Sequence, residues 1–157
     1  MAKEIERKFL VDKKAIASFT GGKRIKQAYI STESKAVVRV RVIGDHAYLT
    51  LKGESKGITR TEFEYPISFE DANEMIAELC DGPLIDKTRF IVEHEKHTWE
   101  IDIFHGDNDG LIVAEVEMQS ESESVELPEW IDKEVTGDPK YYNSNLLDFP
   151  FKDWYKS

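Results

Sequence analysis

Cysteine is almost absent from this sequence of 157 residues, and so are the segments that membrane proteins and multidomain proteins need. Cys80 is the only cysteine, which excludes an intramolecular disulfide and a cysteine-based zinc cluster. No run approaches the ~20 apolar residues of a membrane span, and the first residues have no apolar signal core. No linker rich in proline, glycine or serine divides the chain. We therefore expect a single domain over residues 1–157, located in the cytoplasm and without a membrane partner.

Basic residues are in the minority, with 21 lysines and arginines against 31 aspartates and glutamates and a formal net charge of −10. Sequence-independent binding of nucleic acid normally needs a basic surface, so we expect no nucleic-acid partner. Common catalytic motifs are missing too: there is no phosphate loop ending in GK[ST], no GxSxG and no HExxH. The 4 histidines lack the spacing of a two-histidine metal motif. No catalytic signature of these kinds therefore competes with the pattern of charges described next.

Apolar and polar residues alternate along most of the chain, which is typical of β-strands. The pattern predicts eight strands, and Gly44–Asp45 marks the clearest hairpin turn. The expected strands are Lys3–Val11, Arg24–Ser31, Ala36–Ile43, His46–Lys52, Ile58–Ile67, Ile85–Glu95, Thr98–Phe104 and Leu111–Gln119. Helical spacing of apolar residues predicts a helix over Phe69–Cys80 with Ser68 as N-cap. Two short helices are expected over Ser122–Trp130 and Lys140–Leu147.

Like charges recur two residues apart on these strands, where side chains share one face at a distance of roughly 7 Å. For a single strand, a solvated outer face would explain such a pair best. Solvated faces, however, mix signs and pair opposite charges across strands, whereas each of these strands is nearly uniform in sign. Lys8 extends the first row and Lys52 stands alone on the fourth strand. The six pairs are Glu4 with Glu6, Arg39 with Arg41, Glu62 with Glu64, Lys87 with Arg89, Glu100 with Asp102, and Glu115 with Glu117.

Clustered like charges cost free energy unless something of opposite charge binds them. Pairs of carboxylates suit a hard divalent cation, and pairs of arginines suit phosphate. A site with both suits a metal–polyphosphate complex. All the rows can surround one ligand if the sheet closes, and about eight strands leave room for one small ligand. We therefore predict an α+β fold, a closed eight-stranded antiparallel β-barrel that forms a tunnel with a charged interior, its apolar outer surface covered by flanking helices.

The N-terminal run Glu4-Ile5-Glu6-Arg7-Lys8 matches the ExExK signature of the CYTH superfamily, also called the triphosphate tunnel metalloenzymes. Later rows follow in the order which that family shows, namely RVR, LTLK, EFE, KTR, EID and EVE. The chain therefore resembles this superfamily from Glu4 to about Glu117. Its short length, with EIERKFLV near the start, is most similar to the small bacterial inorganic tripolyphosphatases.

The resemblance implies a metal-dependent triphosphatase, a hydrolase of phosphoric anhydrides that cleaves inorganic tripolyphosphate to pyrophosphate and phosphate with two Mg²⁺ or Mn²⁺ ions. The phosphate-binding residues that it implies are Lys8, Arg39, Arg41, Lys52, Lys87 and Arg89. The first four are also expected to act in catalysis together with Tyr29, a tyrosine at the tunnel mouth that could equally be a packed strand aromatic. The metal ligands that it implies are Glu4, Glu6, Asp102, Glu115 and Glu117. Further candidates for metal, water or ion-pair roles are Glu62, Glu64 and Glu100.

The C-terminal run Lys140, Tyr141, Tyr142 and Asn143 lies where the helix of this family plugs or lines one tunnel end. We expect packing to be its main role, with substrate contact by Asn143 and Lys140 as the alternative. Several functions would use the same residues to bind a triphosphate. The alternatives are a thiamine or nucleoside triphosphatase, a class IV adenylate cyclase, and a polyphosphate-binding module without catalysis. The expected interior offers no set of aromatic residues for stacking a base, which favours an inorganic substrate. The apolar outer faces of the barrel make a homodimer an expectation as well.

Overall fold

The computed structural model describes residues 3–80 and 82–155. Its nine strands are β1 (Lys3–Val11), β2 (Lys23–Ile30), β3 (Val37–Ile43), β4 (His46–Lys52), β5 (Thr59–Ile67), β6 (Ile85–His94), β7 (His97–Phe104), β8 (Ile112–Glu117) and β9 (Ile131–Glu134). One α-helix, α1, spans Phe69–Leu79. Short 3-10 turns occupy Lys13–Ser18, Gly106–Asn108, Pro139–Tyr141 and Phe151–Asp153. Within the described ranges, no helix has the length and apolar character that crossing a membrane requires.

The strands form one antiparallel sheet in the order β5-β4-β3-β2-β6-β7-β8-β1-β9, and pairing between β1 and β5 closes it. One edge of β1 pairs with two different strands. Its first residues pair with β5, where Glu4 lies opposite Arg60, and its last residues pair with β9, where Val11 lies opposite Ile131. The prediction of a closed eight-stranded barrel is confirmed. β9 is a ninth strand laid beside the closing seam.

Apolar side chains on the outer side of the barrel form two cores. In the first, Trp99 and Phe9 are buried with their ring centroids 5.6 Å apart, and Trp130 covers Trp99 at 5.7 Å. In the second, Ala72 of α1 packs on Val40 and on β4. Ser68 caps α1 by accepting a hydrogen bond from the backbone of Asp71, as the sequence predicts. The single α-helix of the described residues thus covers one part of the outer surface. The expectation that helices cover the whole apolar surface is wrong, because Leu51, Phe63 and Tyr65 on the outer side of β4 and β5 are exposed.

One end of the tunnel is apolar. Ile85, Phe104 and Val113 have the same strand parity as the charged rows, so their side chains point inward, and all three are buried. The C-terminal segment supplies Tyr141 and Leu146, which pack against them in one core. The predicted charged interior is therefore confined to the middle and the other end, and the C-terminal segment closes this end.

The helix expected over Ser122–Trp130 is wrong, because the structure has only turns and extended chain there. Val125 and Trp130 are drawn onto the outer core of the barrel, and Pro128 has no N–H for a helical hydrogen bond. The helix expected over Lys140–Leu147 is also wrong and is replaced by a 3-10 turn at Pro139–Tyr141 followed by further turns. There the side chain of Asn145 donates to the carbonyl of Pro139, a local contact that competes with helix formation.

Gly22 lies where a Cβ atom would stand 2.7 Å from side-chain carbons of both Phe90 and Thr88. We expect Gly22→Ala to lower the free energy of unfolding by about 1–3 kcal/mol, because the added methyl group overpacks this contact and displaces Phe90 from Phe19. Urea denaturation measures the change. In a background with Phe90→Ala and Thr88→Ser, which lacks both contacting groups, the same substitution is expected to cost much less, and an equal cost in both backgrounds would contradict the clash.

Candidate active site

The charged rows of seven strands meet inside the barrel. Directly opposed residues of antiparallel strands have their side chains on the same face of the sheet. Glu6 and Lys8 of β1 lie opposite Glu117 and Glu115 of β8, and Arg89 of β6 lies opposite Asp102 of β7. These side chains therefore all point into the barrel. The resulting tunnel encloses about 810 Å³ of empty space, counting the solvent at its openings. All six basic residues that the sequence singles out line it, namely Lys8, Arg39, Arg41, Lys52, Lys87 and Arg89.

The two arginines of β3 are buried and incompletely paired. Arg39 donates to Thr50 at 3.1 Å and to the half-exposed carboxylate of Glu64 at 3.3 Å, but its buried Nε atom has no hydrogen-bond partner among the described residues. Arg41 donates from Nε to the side-chain oxygen of Gln27 at 2.8 Å and has no carboxylate within 4.0 Å in that part of the chain. Such donors, held in place without an anion, suit an anionic ligand.

Burial lowers the pKa of Arg41 to about 10, and the neighbouring Arg39 and Arg89 add to the effect. The guanidinium group is therefore still charged at neutral pH. An anion bound between these cations would remove part of the repulsion that shifts the pKa. The electrostatics of this wall of the tunnel thus favour a bound polyanion.

Asp102 is the centre of a buried ion-pair group. Its carboxylate accepts two hydrogen bonds from Arg89, at 2.7 and 2.9 Å, and lies 2.8 Å from Nζ of Lys87. Burial acts to raise the pKa of Asp102, but Lys87 and Arg89 outweigh it, so the pKa lies well below its ordinary value. Asp102 is therefore a permanent carboxylate that fixes two of the six tunnel cations.

The other two basic residues sit beside the acidic rows. Nζ of Lys8 lies 3.4 Å from Glu115, and Nζ of Lys52 lies 3.3 Å from Glu4 and 3.7 Å from Glu62. Burial opposes ionisation of Glu115, yet Lys8, Arg89 and Lys87 together outweigh it and lower the pKa of Glu115 to about 2. Positive and negative rows therefore interlock along the tunnel wall.

Glu6 has no basic group within 4.0 Å among the described residues, although Glu4 and Glu115 line the same cavity. Burial raises its pKa well above the ordinary value, and repulsion by Glu115 and then Glu4 adds to the shift. Three carboxylates that repel one another supply the oxygen ligands that hard divalent cations take. The donor chemistry of Glu4, Glu6 and Glu115 fits such a cation.

The remaining predicted acidic residues do not line that cavity but adjoin residues that do. Glu100 and Glu117 lie opposite Glu115 and Glu6 on the neighbouring strands, and they border a second cleft next to Glu123, which pairs with His97. Burial raises the pKa of Glu100, although Arg89 at 3.0 Å opposes the shift. Glu62 and Glu64 contact Lys52 and Arg39 on the rim, and Tyr29 lines the tunnel.

Sequence reasoning passed over Gln27 and favoured packing over substrate contact for Asn143. Gln27 is fully buried and bonds to Arg41, while Oδ1 of Asn143 lies 2.8 Å from Nζ of Lys87. Neutral amides leave no signal in a pattern of charges. The only sign for Gln27 was its position two residues before Tyr29, which places both side chains on the inward face of β2.

A family model described as the CYTH domain matches residues 2–142. The chain belongs to the CYTH family. This membership implies a divalent metal requirement and agrees with the closed antiparallel barrel and its charged tunnel.

Relatives of this CYTH chain carry the name inorganic triphosphatase. The protein of that name from Acetivibrio thermocellus is 47% identical over 154 residues, covering 98% of this chain and 99% of the relative. Its counterpart from Nitrosomonas europaea is 34% identical over 151 residues, covering 91% and 95%. A crystal structure titled as an inorganic triphosphatase superposes with a TM-score of 0.64 at 31% identity, covering 94% of this chain and 95% of the other.

Proposed function

We propose that this chain is a metal-dependent inorganic triphosphatase that cleaves tripolyphosphate into pyrophosphate and phosphate. The observation that carries the proposal is the meeting, in one tunnel, of six cationic side chains with a group of mutually repelling carboxylates. A metal–polyphosphate complex is complementary to both. The inorganic triphosphatases among its relatives support the same function.

The six basic residues are proposed to hold the phosphates. Arg39 and Arg41 offer forked donors that match phosphate oxygens, and both line the tunnel. Lys87 and Arg89 are oriented by Asp102, and Lys8 and Lys52 are held beside the acidic rows. The spread of these cations along the tunnel suits a chain of phosphates better than a single one.

The metal ligands are proposed to be Glu4, Glu6 and Glu115, with Glu117 and Asp102 as the further ligands that the family resemblance implies. The ions are proposed to be two, Mg²⁺ or Mn²⁺. A divalent cation in such a site neutralises phosphate oxygens and lowers the pKa of a bound water. Because Asp102 is occupied by Arg89 and Lys87, a role as ligand would require it to share its oxygens.

Catalysis by the chain's own residues is proposed to be mainly electrostatic. Phosphoryl transfer spreads negative charge over the oxygens of the transferred group, and preorganised cations stabilise that charge without reorganising. Lys8, Arg39, Arg41 and Lys52 are held in place by contacts to the barrel before any ligand binds. Tyr29 lines the same cavity and its hydroxyl accepts a hydrogen bond from Gln27 at 2.8 Å, which places that oxygen near the phosphate path.

The tunnel lining favours an inorganic substrate. Tyr29 and Tyr142 are the aromatic residues of the lining within the described part of the chain. The hydroxyl of Tyr29 is engaged by Gln27, and the ring of Tyr142 lies 5.5 Å from Nζ of Lys8. Neither arrangement provides the open pair of rings that stacking on a nucleobase or a thiamine ring would use.

Three further expectations stay predictions. We infer that residues 1–157 form one domain, since every described strand belongs to one sheet. Absence of a nucleic-acid partner and a cytoplasmic location follow from the charge and composition alone. A homodimer is expected from exposed apolar residues such as Leu51, Phe63 and Tyr65 on the outer sheet, and sedimentation equilibrium measures the oligomeric state.

A substrate assay tests the proposed function. Purified protein is offered tripolyphosphate, ATP or thiamine triphosphate with Mg²⁺, Mn²⁺ or Ca²⁺, and phosphate, pyrophosphate and cyclic AMP are measured separately. We expect phosphate and pyrophosphate from tripolyphosphate at the highest rate, with Mg²⁺ or Mn²⁺, and no product after chelation. Cyclic AMP and pyrophosphate from ATP would instead indicate a cyclase. No product from any substrate would indicate a binding module.

A further inference from the structure

Two neutral amides bridge the cations of two separate strands. Gln27 of β2 accepts a hydrogen bond from Nε of Arg41 at 2.8 Å and donates from Nε2 to Oδ1 of Asn143 at 3.1 Å. The same Oδ1 accepts a hydrogen bond from Nζ of Lys87 at 2.8 Å. Arg41, Gln27, Asn143 and Lys87 therefore form one continuous chain of hydrogen bonds across the tunnel wall.

The bridge decides where the donors of Lys87 point. Burial lowers the pKa of Lys87 to about 7, and the carboxylate of Asp102 opposes that shift. In its charged form the ammonium group has three N–H donors and rotates freely unless acceptors hold it. Here Asp102 at 2.8 Å and Asn143 at 2.8 Å take two of them, so the direction of the third is fixed. Lys87 is one of the residues that line the tunnel.

Gln27 has the same effect on Arg41. Its bond to Nε fixes the plane of the guanidinium group and leaves the two terminal nitrogens for a ligand. Gln27 itself is fully buried, and its amide donates to both Tyr29 and Asn143. Because both polar atoms of this side chain make hydrogen bonds, the amide has one orientation. The orientation of the amide in turn fixes that of the Arg41 guanidinium group.

Asn143 is carried by the C-terminal segment that closes the apolar end of the tunnel. The same segment touches a third cation, since the carbonyl of Tyr141 lies 3.3 Å from Nζ of Lys8. Contacts of this segment to the cations are thus made through neutral oxygens. A carboxylate in place of Asn143 could accept the same bonds but would set a negative charge against an incoming polyphosphate.

We propose that Asn143 and Gln27 are positioning residues that aim Lys87 and Arg41 at the transferred phosphoryl group, a role that rests on the proposed triphosphatase activity. In this role both residues act through the two cations they contact. The segment that seals the tunnel thereby also sets the geometry of two phosphate-binding cations.

The test compares two substitutions of Asn143, one that removes the hydrogen-bond acceptor for Lys87 and one that keeps the acceptor but adds a negative charge. Asn143→Leu has similar volume and removes the acceptor, so Lys87 loses its fixed direction. We expect kcat for tripolyphosphate to fall about 10- to 100-fold with KM changed less than about threefold, since small misplacements of reacting groups cost this much. Asn143→Asp keeps an acceptor for Lys87 and Gln27. We expect it to retain kcat within about threefold while KM rises about tenfold or more, because the added charge repels substrate.

Gln27→Met and the double variant Gln27→Met with Asn143→Leu test whether the two amides act together. We expect Gln27→Met to lower kcat. We expect the kcat of the double variant to be close to that of the less active single variant, because either substitution alone already interrupts the chain of hydrogen bonds. Thermal melts control for folding, and Asn143→Ser, too short to reach Lys87, replaces Asn143→Leu if the latter fails to fold.

The outcomes distinguish the two proposals. If the wild-type chain does not hydrolyse tripolyphosphate, the proposed function fails. If the wild-type chain is active and both Asn143→Leu and Asn143→Ser keep kcat within twofold, the positioning role is overturned. Equal losses of kcat in Asn143→Leu and Asn143→Asp would also overturn it, because the acceptor would then not matter.

Discussion

Replacing Glu6 by glutamine is expected to abolish metal-dependent hydrolysis of tripolyphosphate and, at the same time, to stabilise the metal-free protein. Glu6 lies in a tunnel with Glu4 and Glu115, and burial and repulsion by these two residues raise its pKa. Glutamine is a poor ligand for a hard divalent cation but removes the repulsion. We expect kcat/KM to fall at least about 10³-fold, because removing a group that stabilises the charge of phosphoryl transfer has effects of this size.

The stability effect depends on pH in a defined direction. A carboxyl group whose pKa is raised by folding destabilises the folded state as pH rises above its ordinary value of 4.5. The melting temperature of metal-free Glu6→Gln is therefore expected to exceed that of the wild type by a margin that grows as the pH rises above 4.5 and levels off once the pH passes the raised pKa of Glu6. Thermal melts recorded over a series of pH values measure the margin.

Glu74→Gln is the matched control, because Glu74 is exposed on α1 outside the barrel. It is expected to change neither kcat/KM nor the melting temperature measurably. Near-normal turnover by Glu6→Gln at saturating Mg²⁺ and Mn²⁺ would remove Glu6 from the proposed metal ligands. A lower melting temperature of the metal-free variant at pH 8 would contradict the repulsion instead.

Arg41→Gln is expected to lower kcat/KM for tripolyphosphate about 10³-fold or more, since Arg41 is a buried cation whose neutralising partner is proposed to be the substrate itself. Among the described residues it has no carboxylate within 4.0 Å, whereas Arg39 has one and Arg89 has two. Arg41→Lys keeps the charge but loses the fork and the Nε bond to Gln27, so we expect an intermediate loss.

Arg24→Gln is the control for this prediction. Arg24 lies on β2 near the same wall but points outward and pairs with Asp86. We expect kcat/KM within about threefold of wild type, since the free energy of an exposed ion pair is small. If Arg41→Gln behaved like Arg24→Gln in steady-state kinetics, Arg41 would have no part in binding or catalysis.

The strand pattern could be predicted because it depends on a period of two. Rows such as Arg39 and Arg41 with valines between them fix both a strand and its two faces. The closure of the barrel followed because rows of both signs need a common ligand. β9 could not be found in this way, because Ile131–Glu134 has only one apolar residue and gains its order from pairing with β1.

Which charges meet was less predictable than which face they share. Strand parity gives no register, so the sequence could not tell that Asp102 pairs with Arg89 and Lys87 while Glu100 and Glu117 border a separate cleft. The C-terminal turns were taken for helices because apolar spacing over a few residues does not distinguish a packed turn from a helix. The amides of Gln27 and Asn143 act through hydrogen bonds, which only three-dimensional contact reveals.

The shared edge of β1 has a consequence for the order of folding. This strand is the first of the described strands to leave the ribosome, yet it pairs with β5, β8 and β9, and the backbone of Lys8 bonds to Thr136, 128 positions along the chain. Contacts so distant in sequence form late. During synthesis the first residues of the ExExK strand can pair once β5 has emerged, but Glu6 and Lys8 stay exposed to water until Glu117 and Glu115, their partners on β8, follow. A truncated nascent chain can build the β2–β5 meander, but it has no tunnel.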